Sequence, residues 1–251
     1  MEDLYYKENP LIQVAFQVRF NTILKIVQVV PSEFQSELIR LLHRKNIQYS
    51  LERSILINPE QGIQLNEPHV HVFTDAVRKV SIKLSPDYLQ VVSSNYESFD
   101  LSFKKYVEAS LEALRIAYDD QLYTRIGFMY QNLIIREKLG LSDWKEVLTE
   151  KSAPEIFEEL PLGALNSFTK ILNIVDGEYQ YNCRTGLVEA QDRIDNGKYQ
   201  GYIIDIDGFT LGEFEHESIF QHIETIRRSN KQLFRRFITD ELHQKLSSVK
   251  V

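Results

Sequence analysis

The chain has 251 residues, of which 43% are hydrophobic and 26% are charged, and 29 Lys and Arg against 36 Asp and Glu give a net charge of −7. This composition is that of a globular protein with a sizeable core, and the acidic balance excludes a general attraction to nucleic acid or anionic lipid. Only 10 glycines are present, and nine of them lie from Gly127 onwards. The glycine-rich phosphate loops GxGxxG and GxxxxGK[ST] are therefore absent, and so are the GxSxG and HExxH motifs.

The first half of the chain predicts a strand, a helix, an antiparallel meander and a long helix. Leu11 to Phe20 alternates as a strand, and Pro31-Ser32 is typical of a helix start. Five short strands follow: Tyr49 to Ile57, Gly62 to Leu65, His69 to Phe73, Lys79 to Leu84 and Tyr88 to Ser93. The turns predicted among them are Asn58-Pro59, Asn66-Glu67-Pro68 and Ser85-Pro86-Asp87. A helix beginning near Ser98 or Asp100 then carries apolar residues at three- and four-residue intervals as far as Tyr118.

The second half repeats this order of elements. Its predicted strands are Tyr123 to Arg136, Asn166 to Val175, Tyr179 to Arg184 and Tyr202 to Asp207, and its predicted helices are Trp144 to Leu148 and Glu217 to Ile238. The predicted turns are Asp176-Gly177, Asn196-Gly197 and Asp207-Gly208.

Together these patterns predict an α+β fold built from two pseudo-duplicated β-α-β(n)-α halves, residues 1–121 and 122–251. In each half a long amphipathic helix would cover the apolar face of a meander. The short link between the halves predicts that they pack side by side. The order of elements is similar to that of the saddle of TATA-binding proteins and of helix-grip folds, an analogy of topology that carries no function.

The sequence also predicts where the protein works. Cys183 is the sole cysteine, which excludes an intrachain disulfide and a cysteine-based zinc site. The acidic start of the chain lacks the order of a signal peptide, and its longest apolar stretch, residues 23–30, is too short for a membrane span. We therefore expect a cytoplasmic protein that does not enter membranes.

Three stretches together resemble a known family: Pro10 to Phe20, Arg125 to Asn132 and Tyr202 to Asp207. In this order and spacing they are similar to a sporadically distributed, uncharacterised prokaryotic family of about this length. Phe234 to Leu242 also resembles the end of that family's sequences. The middle stretch departs from the family's Arg-Tyr-x-Asn-like pattern. The resemblance implies a free-standing module of horizontally moved accessory genes, such as defence or toxin–antitoxin loci, and it supplies no catalytic residues.

Asp205 and Asp207 are the candidate metal ligands. Residues two apart on a strand share a face, so both carboxylates would point the same way. With Glu213, Glu215 or His216 they would suit Mg²⁺ or Mn²⁺, and so a phosphoesterase or nuclease. The alternative is that the acids face solvent beside a turn at Asp207-Gly208. His69 and His71 also share a strand face at a spacing that suits a metal, with exposed strand histidines as the alternative.

Four basic residues of the last helix are the candidate binding residues for a ligand or partner: Arg227, Arg228, Lys231 and Arg235. They fall within one arc of the helix beside its apolar stripe. Eight acids in residues 189–217 precede seven basic residues in residues 227–250. This switch predicts either internal docking over an acidic edge or a surface for an acidic partner or phosphate backbone.

The function that these observations favour is a binding or assembly module that recognises a partner protein or a nucleotide-bearing ligand. No cofactor is expected on this reading, nucleic acid is disfavoured by the net charge, and a homo-oligomer stays open. The alternative is the metal-dependent phosphoesterase or nuclease that uses Asp205 and Asp207, with Mg²⁺ or Mn²⁺ as its cofactor.

Overall fold

The computed structural model describes residues 6, 9–58, 62–158, 165–191 and 197–247, without the side chains of residues 53–58, 62–69 and 247. Its helices and its large antiparallel sheet confirm the predicted α+β class. No helix in these ranges is both long enough and apolar enough to cross a lipid bilayer.

The described residues form nine strands and six α-helices. The strands are Leu11–Phe20 (β1), Ile47–Asn58 (β2), Gly62–Asp75 (β3), Val80–Ser85 (β4), Tyr88–Ser93 (β5), Tyr123–Ile134 (β6), Lys170–Asp176 (β7), Tyr179–Gln191 (β8) and Lys198–Phe214 (β9). The helices are Leu24–Gln28 (α1), Ser32–Leu42 (α2), Lys104–Tyr118 (α3), Pro154–Phe157 (α4), Ile219–Phe237 (α5) and Asp240–Ser247 (α6). A π-helical turn, Phe99–Phe103, leads into α3, and a 3-10 turn, Trp144–Glu146, stands where a short helix is predicted.

The strands are hydrogen-bonded in the order β2-β3-β4-β5-β1-β6-β9-β8-β7. β4 and β5 are joined by the two residues Pro86-Asp87, and β7 and β8 are joined at Gly177, which has a φ of 59°. Both turns were predicted. Asn196 and Pro59, which belong to two further predicted turns, lie outside the described residues.

The chain divides into two compact units. The first unit comprises Gln13–Phe128 and Thr210–Ile223, and the second comprises Met1–Ile12, Met129–Phe209 and Glu224–Val251. β6, β9 and α5 each contribute residues to both units. The units are thus interleaved along the chain, whereas the predicted halves 1–121 and 122–251 are contiguous.

The core of the first unit lies between its strands and the helices α2 and α3. Val14, Phe16 and Val18 of β1 are fully buried, as their alternation predicts. Phe34 of α2 packs on Phe73 of β3, with ring centroids 5.3 Å apart. α3 buries the predicted stripe: Tyr106, Val107, Ser110, Leu111 and Leu114.

The core of the second unit lies between β8 and β9 on one side and α5 and α6 on the other. Tyr181 and Cys183 of β8 and Ile204 and Ile206 of β9 belong to one buried cluster. The helices contribute Phe234, Phe237, Leu242 and Leu246 to it. Burial raises the pKa of the Cys183 thiol to about 11, which suits an inert core residue.

Two predicted turns are wrong. Asp207-Gly208 lies inside β9, where Gly208 leaves room for α5: a Cβ on Gly208 would stand 2.6 Å from Ile226 Cγ2. Asn66-Glu67-Pro68 lies inside β3. The register with β2 shifts between Glu52 and Ser54 at this point, and such an irregularity accepts a proline that a regular ladder would reject.

Candidate functional site

Asp205 and Asp207 lie on the strand face opposite to the buried Ile204 and Ile206, as their spacing predicts. Asp205 is nevertheless buried, with 8% of its surface exposed. Its Oδ2 accepts hydrogen bonds from Arg184 Nη2 at 2.6 Å and Nε at 3.0 Å, and from Gln131 Nε2 at 3.4 Å. The guanidinium therefore neutralises the carboxylate on which the metal hypothesis depends, and a cation would compete with it for the same oxygen.

The described residues do not bring a third ligand to Asp205 and Asp207. Among them, no three His, Cys, Asp or Glu side chains gather in a group that could hold a metal ion. Glu213, Glu215 and His216 belong to the first unit, whereas both aspartates belong to the second.

His71 is buried and hydrogen-bonded to an aromatic neighbour. Its Nδ1 is 3.0 Å from the Tyr49 hydroxyl, and the two rings are stacked with their centroids 6.1 Å apart. The side chain of His69 lies outside the described part of the chain. The described side chains therefore do not show His71 beside a second metal ligand.

The basic residues of α5 differ in their exposure. Arg227 is 4% exposed and forms an ion pair with Glu224 at 2.8 Å. Arg235 pairs with Asp240 of α6 at 2.9 Å, while Arg228 and Lys231 are exposed. Two of the four candidate residues, Arg228 and Lys231, are therefore the ones that face solvent.

A groove that the sequence did not predict lies in the first unit. It has a volume of about 240 Å³ and is lined by residues 26–30 together with Tyr49, Leu51 and His71. Tyr49 and Leu51 come from β2, and His71 comes from β3, opposite Leu51 in the strand register. Because β2 is the end strand of the described sheet order, the groove lies at an edge of the sheet.

The aliphatic side chains of residues 24–30, five of which line the groove, are strongly exposed apart from Ile26. Leu24, Val27, Val29 and Val30 are each between 55% and 67% exposed, and Tyr49 is 39% exposed. Single exposed aliphatic residues are ordinary, but three of these, Val27, Val29 and Val30, line the same groove. We call residues 24–30 the aliphatic segment.

Contacts on its other side fix the aliphatic segment in this orientation. Ile26 is buried, and the Ile23 amide donates to the Pro86 carbonyl at 2.8 Å. Lys25 Nζ contacts Glu33 Oε2 at 3.2 Å, donates to the Ala117 carbonyl at 3.3 Å and lies 5.4 Å from the ring centre of Tyr118. Partial burial of its own ring, together with the charge of Glu33, raises the pKa of Tyr118 to about 12. With Ile26 buried and Lys25 held by these contacts, the remaining aliphatic side chains face solvent.

The lining of the groove combines apolar and polar side chains. Its described lining carries three polar side chains, Gln28, Tyr49 and His71, and no carboxylate, thiol or amine. The Tyr49 ring lies 5.6 Å from that of Phe73, which links the groove to the buried rings under α2. Such a lining offers apolar contact, an aromatic platform and a few hydrogen bonds that can fix the orientation of a bound group.

The comparisons with known proteins do not assign the chain. No protein-family model matches it, and no curated protein is detectably similar to it in sequence.

Proposed function

We propose that the protein is a binding module that recognises a segment of a partner protein, and that the aliphatic segment with Tyr49, Leu51 and His71 forms the docking groove. The observation that supports this is the exposure of Val27, Val29 and Val30 in the lining of one groove. Burying one such side chain in a partner contributes roughly 1.5–3 kcal/mol when the burial is complete.

The occupant that fits is an extended segment with apolar residues at alternate positions. β2 ends the described sheet order, so its outer main-chain groups are placed to pair with an added strand. Alternate side chains of that strand would enter the groove between the aliphatic segment and Tyr49. Main-chain hydrogen bonds would supply affinity and the groove would supply specificity.

The proposal includes the finer features that the sequence predicts. These are the pseudo-duplicated β-α-β(n)-α topology, the likeness to the TATA-binding saddle and helix-grip folds, and a role in the cytoplasm within an accessory prokaryotic system. The order β1, α2, meander, α3 followed by β6, strands, α5 supports the first of them. The family resemblance supports the last.

The test uses a library of random ten-residue peptides displayed on phage and selected against the wild-type protein. Selected peptides should carry apolar residues at every second position. A synthetic peptide of one selected sequence should bind Val27→Asp at least about tenfold more weakly, because the charge must be desolvated in the groove. Amide exchange in residues 47–52 should slow on binding, since β2 would gain hydrogen bonds.

Val77→Asp is the matched control. Val77 is a 75% exposed valine of the same unit that does not line the groove. It should leave peptide binding unchanged. The proposed function fails if selected peptides bind Val27→Asp and Val77→Asp alike, or if the library yields no binder.

A further inference from the structure

A second surface lies on β7, the strand at the other end of the described sheet order. Its hydrogen-bonded neighbour in the described part of the chain is β8, and the pairing runs without a register shift from Lys170 to Asp176. Ile171 is 66% exposed and Val175 is 72% exposed. End strands are usually blunted by a proline, a bulge or a central charge, and residues 171–175 contain neither a proline nor a charge.

The register with β8 assigns the side chains of β7 to two faces. Ile171 and Asn173 stand opposite Arg184 and Asn182, on the face of the exposed residues of β8. Leu172 stands opposite the buried Cys183, on the core side. Each face of β7 therefore carries exposed apolar side chains, Ile171 and Val175 on one face and Leu172 on the other.

The sequence of β7, KILNIVD, is complementary to itself when reversed about Asn173. An antiparallel copy centred there places Lys170 opposite Asp176, Ile171 opposite Val175, Leu172 opposite Ile174 and Asn173 opposite Asn173. Facing residues of antiparallel strands point to the same side of a sheet, so the pairs match charge with opposite charge, apolar with apolar and, at the centre, amide with amide.

We propose that two copies of the protein associate by antiparallel pairing of their β7 strands, with a two-fold axis at Asn173. The interface is isologous, since each copy offers the same strand to the other. Parallel in-register pairing would place Lys170 against Lys170 and Asp176 against Asp176. A two-residue slip of the antiparallel register would separate the opposite charges.

Charge exchange tests the pairing and its register. Lys170→Asp and Asp176→Lys each create two like-charged pairs, and each variant alone should self-associate at least about tenfold more weakly than the wild type. An equimolar mixture of the two variants restores both opposite-charge pairs, so it should form heterodimers with an affinity near that of the wild type. Sedimentation velocity of each variant and of the mixture measures this.

The controls address stability and unspecific charge effects. Lys170 Nζ also donates to the Ser152 carbonyl at 3.3 Å and pairs with Glu155 at 3.2 Å, so the thermal midpoint of each variant must be recorded. The exposed residues of the other unit, changed by Lys45→Asp and Asp120→Lys, should leave self-association unchanged.

A cysteine at the axis gives a readout that does not depend on the charges. Facing Cα atoms of an antiparallel pair lie about 4.5–5.5 Å apart, within the range of a disulfide. Asn173→Cys should therefore form a disulfide-linked dimer under mild oxidation, because the native Cys183 is buried. Ile171→Cys should not, since its two copies would lie four residues, roughly 13 Å, apart along the strand.

Two outcomes overturn the proposal. One is a wild-type protein that stays monomeric at high concentration and an Asn173→Cys variant that forms no cross-link. The other is a dimer that persists equally in both charge variants and cross-links Ile171→Cys as readily as Asn173→Cys. Neither result affects the peptide groove, because β7 contributes no residue to it.

Discussion

Gly208 shows how one residue sets the distance between a helix and a strand. A Cβ at this position would stand 2.6 Å from Ile226 Cγ2, 2.7 Å from Asn230 Oδ1 and 3.0 Å from Tyr181 Cδ1. Ile226 is fully buried, so it has little room to move. The close approach of α5 to β9 therefore requires glycine here, although Gly208 has no unusual backbone conformation.

We expect Gly208→Ala to lower the free energy of unfolding by about 1–3 kcal/mol, the usual cost of overpacking a core. The urea midpoint should fall while the slope of the transition stays the same. Gly177→Asn is the control, because Gly177 has a φ of 59°, nothing lies within 4 Å of a Cβ there, and Asn tolerates this conformation. A Gly208→Ala protein as stable as the control would show that α5 can move away from β9.

The environment of a candidate site residue was predictable only where it depends on neighbours in the same strand or helix. The spacing of Asp205 and Asp207 correctly predicts a shared strand face, since that depends only on the alternation of side chains along one strand. The Arg184 contact that neutralises Asp205 comes from another strand and left no signal near it. Arg227 reads as part of a basic arc, but its burial depends on packing that helical spacing does not describe.

Helices and strands were predictable where many apolar residues recur at a regular interval. β1, α2, α3 and α5 match their predicted positions because each carries several buried residues at strand or helix intervals. α1 was not predicted, since five residues with outward-facing aliphatics give no such period. The groove was missed for the same reason: residues 26–30, Tyr49 and His71 meet only in the folded unit.

α6 carries a histidine whose pKa is shifted by folding. The Tyr6 hydroxyl is 3.0 Å from His243 Nδ1, and the two rings meet edge to face at 5.6 Å. Burial lowers the pKa of His243, and the charge of Arg235 lowers it further, while Asp240 opposes this in part. The folded protein therefore holds the His243 proton less tightly than the unfolded chain does.

The contribution of His243 to stability should consequently fall as the pH drops below about 6.5, the ordinary histidine value, and level off below the lowered pKa of folded His243. Above pH 6.5 both states are neutral at this position, so His243 should add no slope. Proton NMR should report a His243 pKa below 6.5, which Arg235→Gln should raise. A measured pKa at or above 6.5 in the wild type would contradict the burial argument.

At the scale of the whole molecule, the two units share chain segments. The chain crosses from the first unit to the second after Phe128 in β6 and returns to the first after Phe209 in β9. It enters the second unit again after Ile223 in α5. Three elements thus carry buried residues of both units on continuous backbone. Loss of the first unit would remove the support for one end of each of these elements.

We therefore expect the units to unfold in a single transition. Phe16 is fully buried in the first unit, and Phe16→Ala should cost about 3–5 kcal/mol. Trp144, the sole tryptophan, is buried in the second unit, so its fluorescence reports that unit alone. The urea midpoint from Trp144 fluorescence should shift with Phe16→Ala as far as the midpoint from far-UV circular dichroism. A fluorescence midpoint that stays in place while the dichroism transition splits would show that each unit unfolds independently, with the shared elements broken at their crossing points.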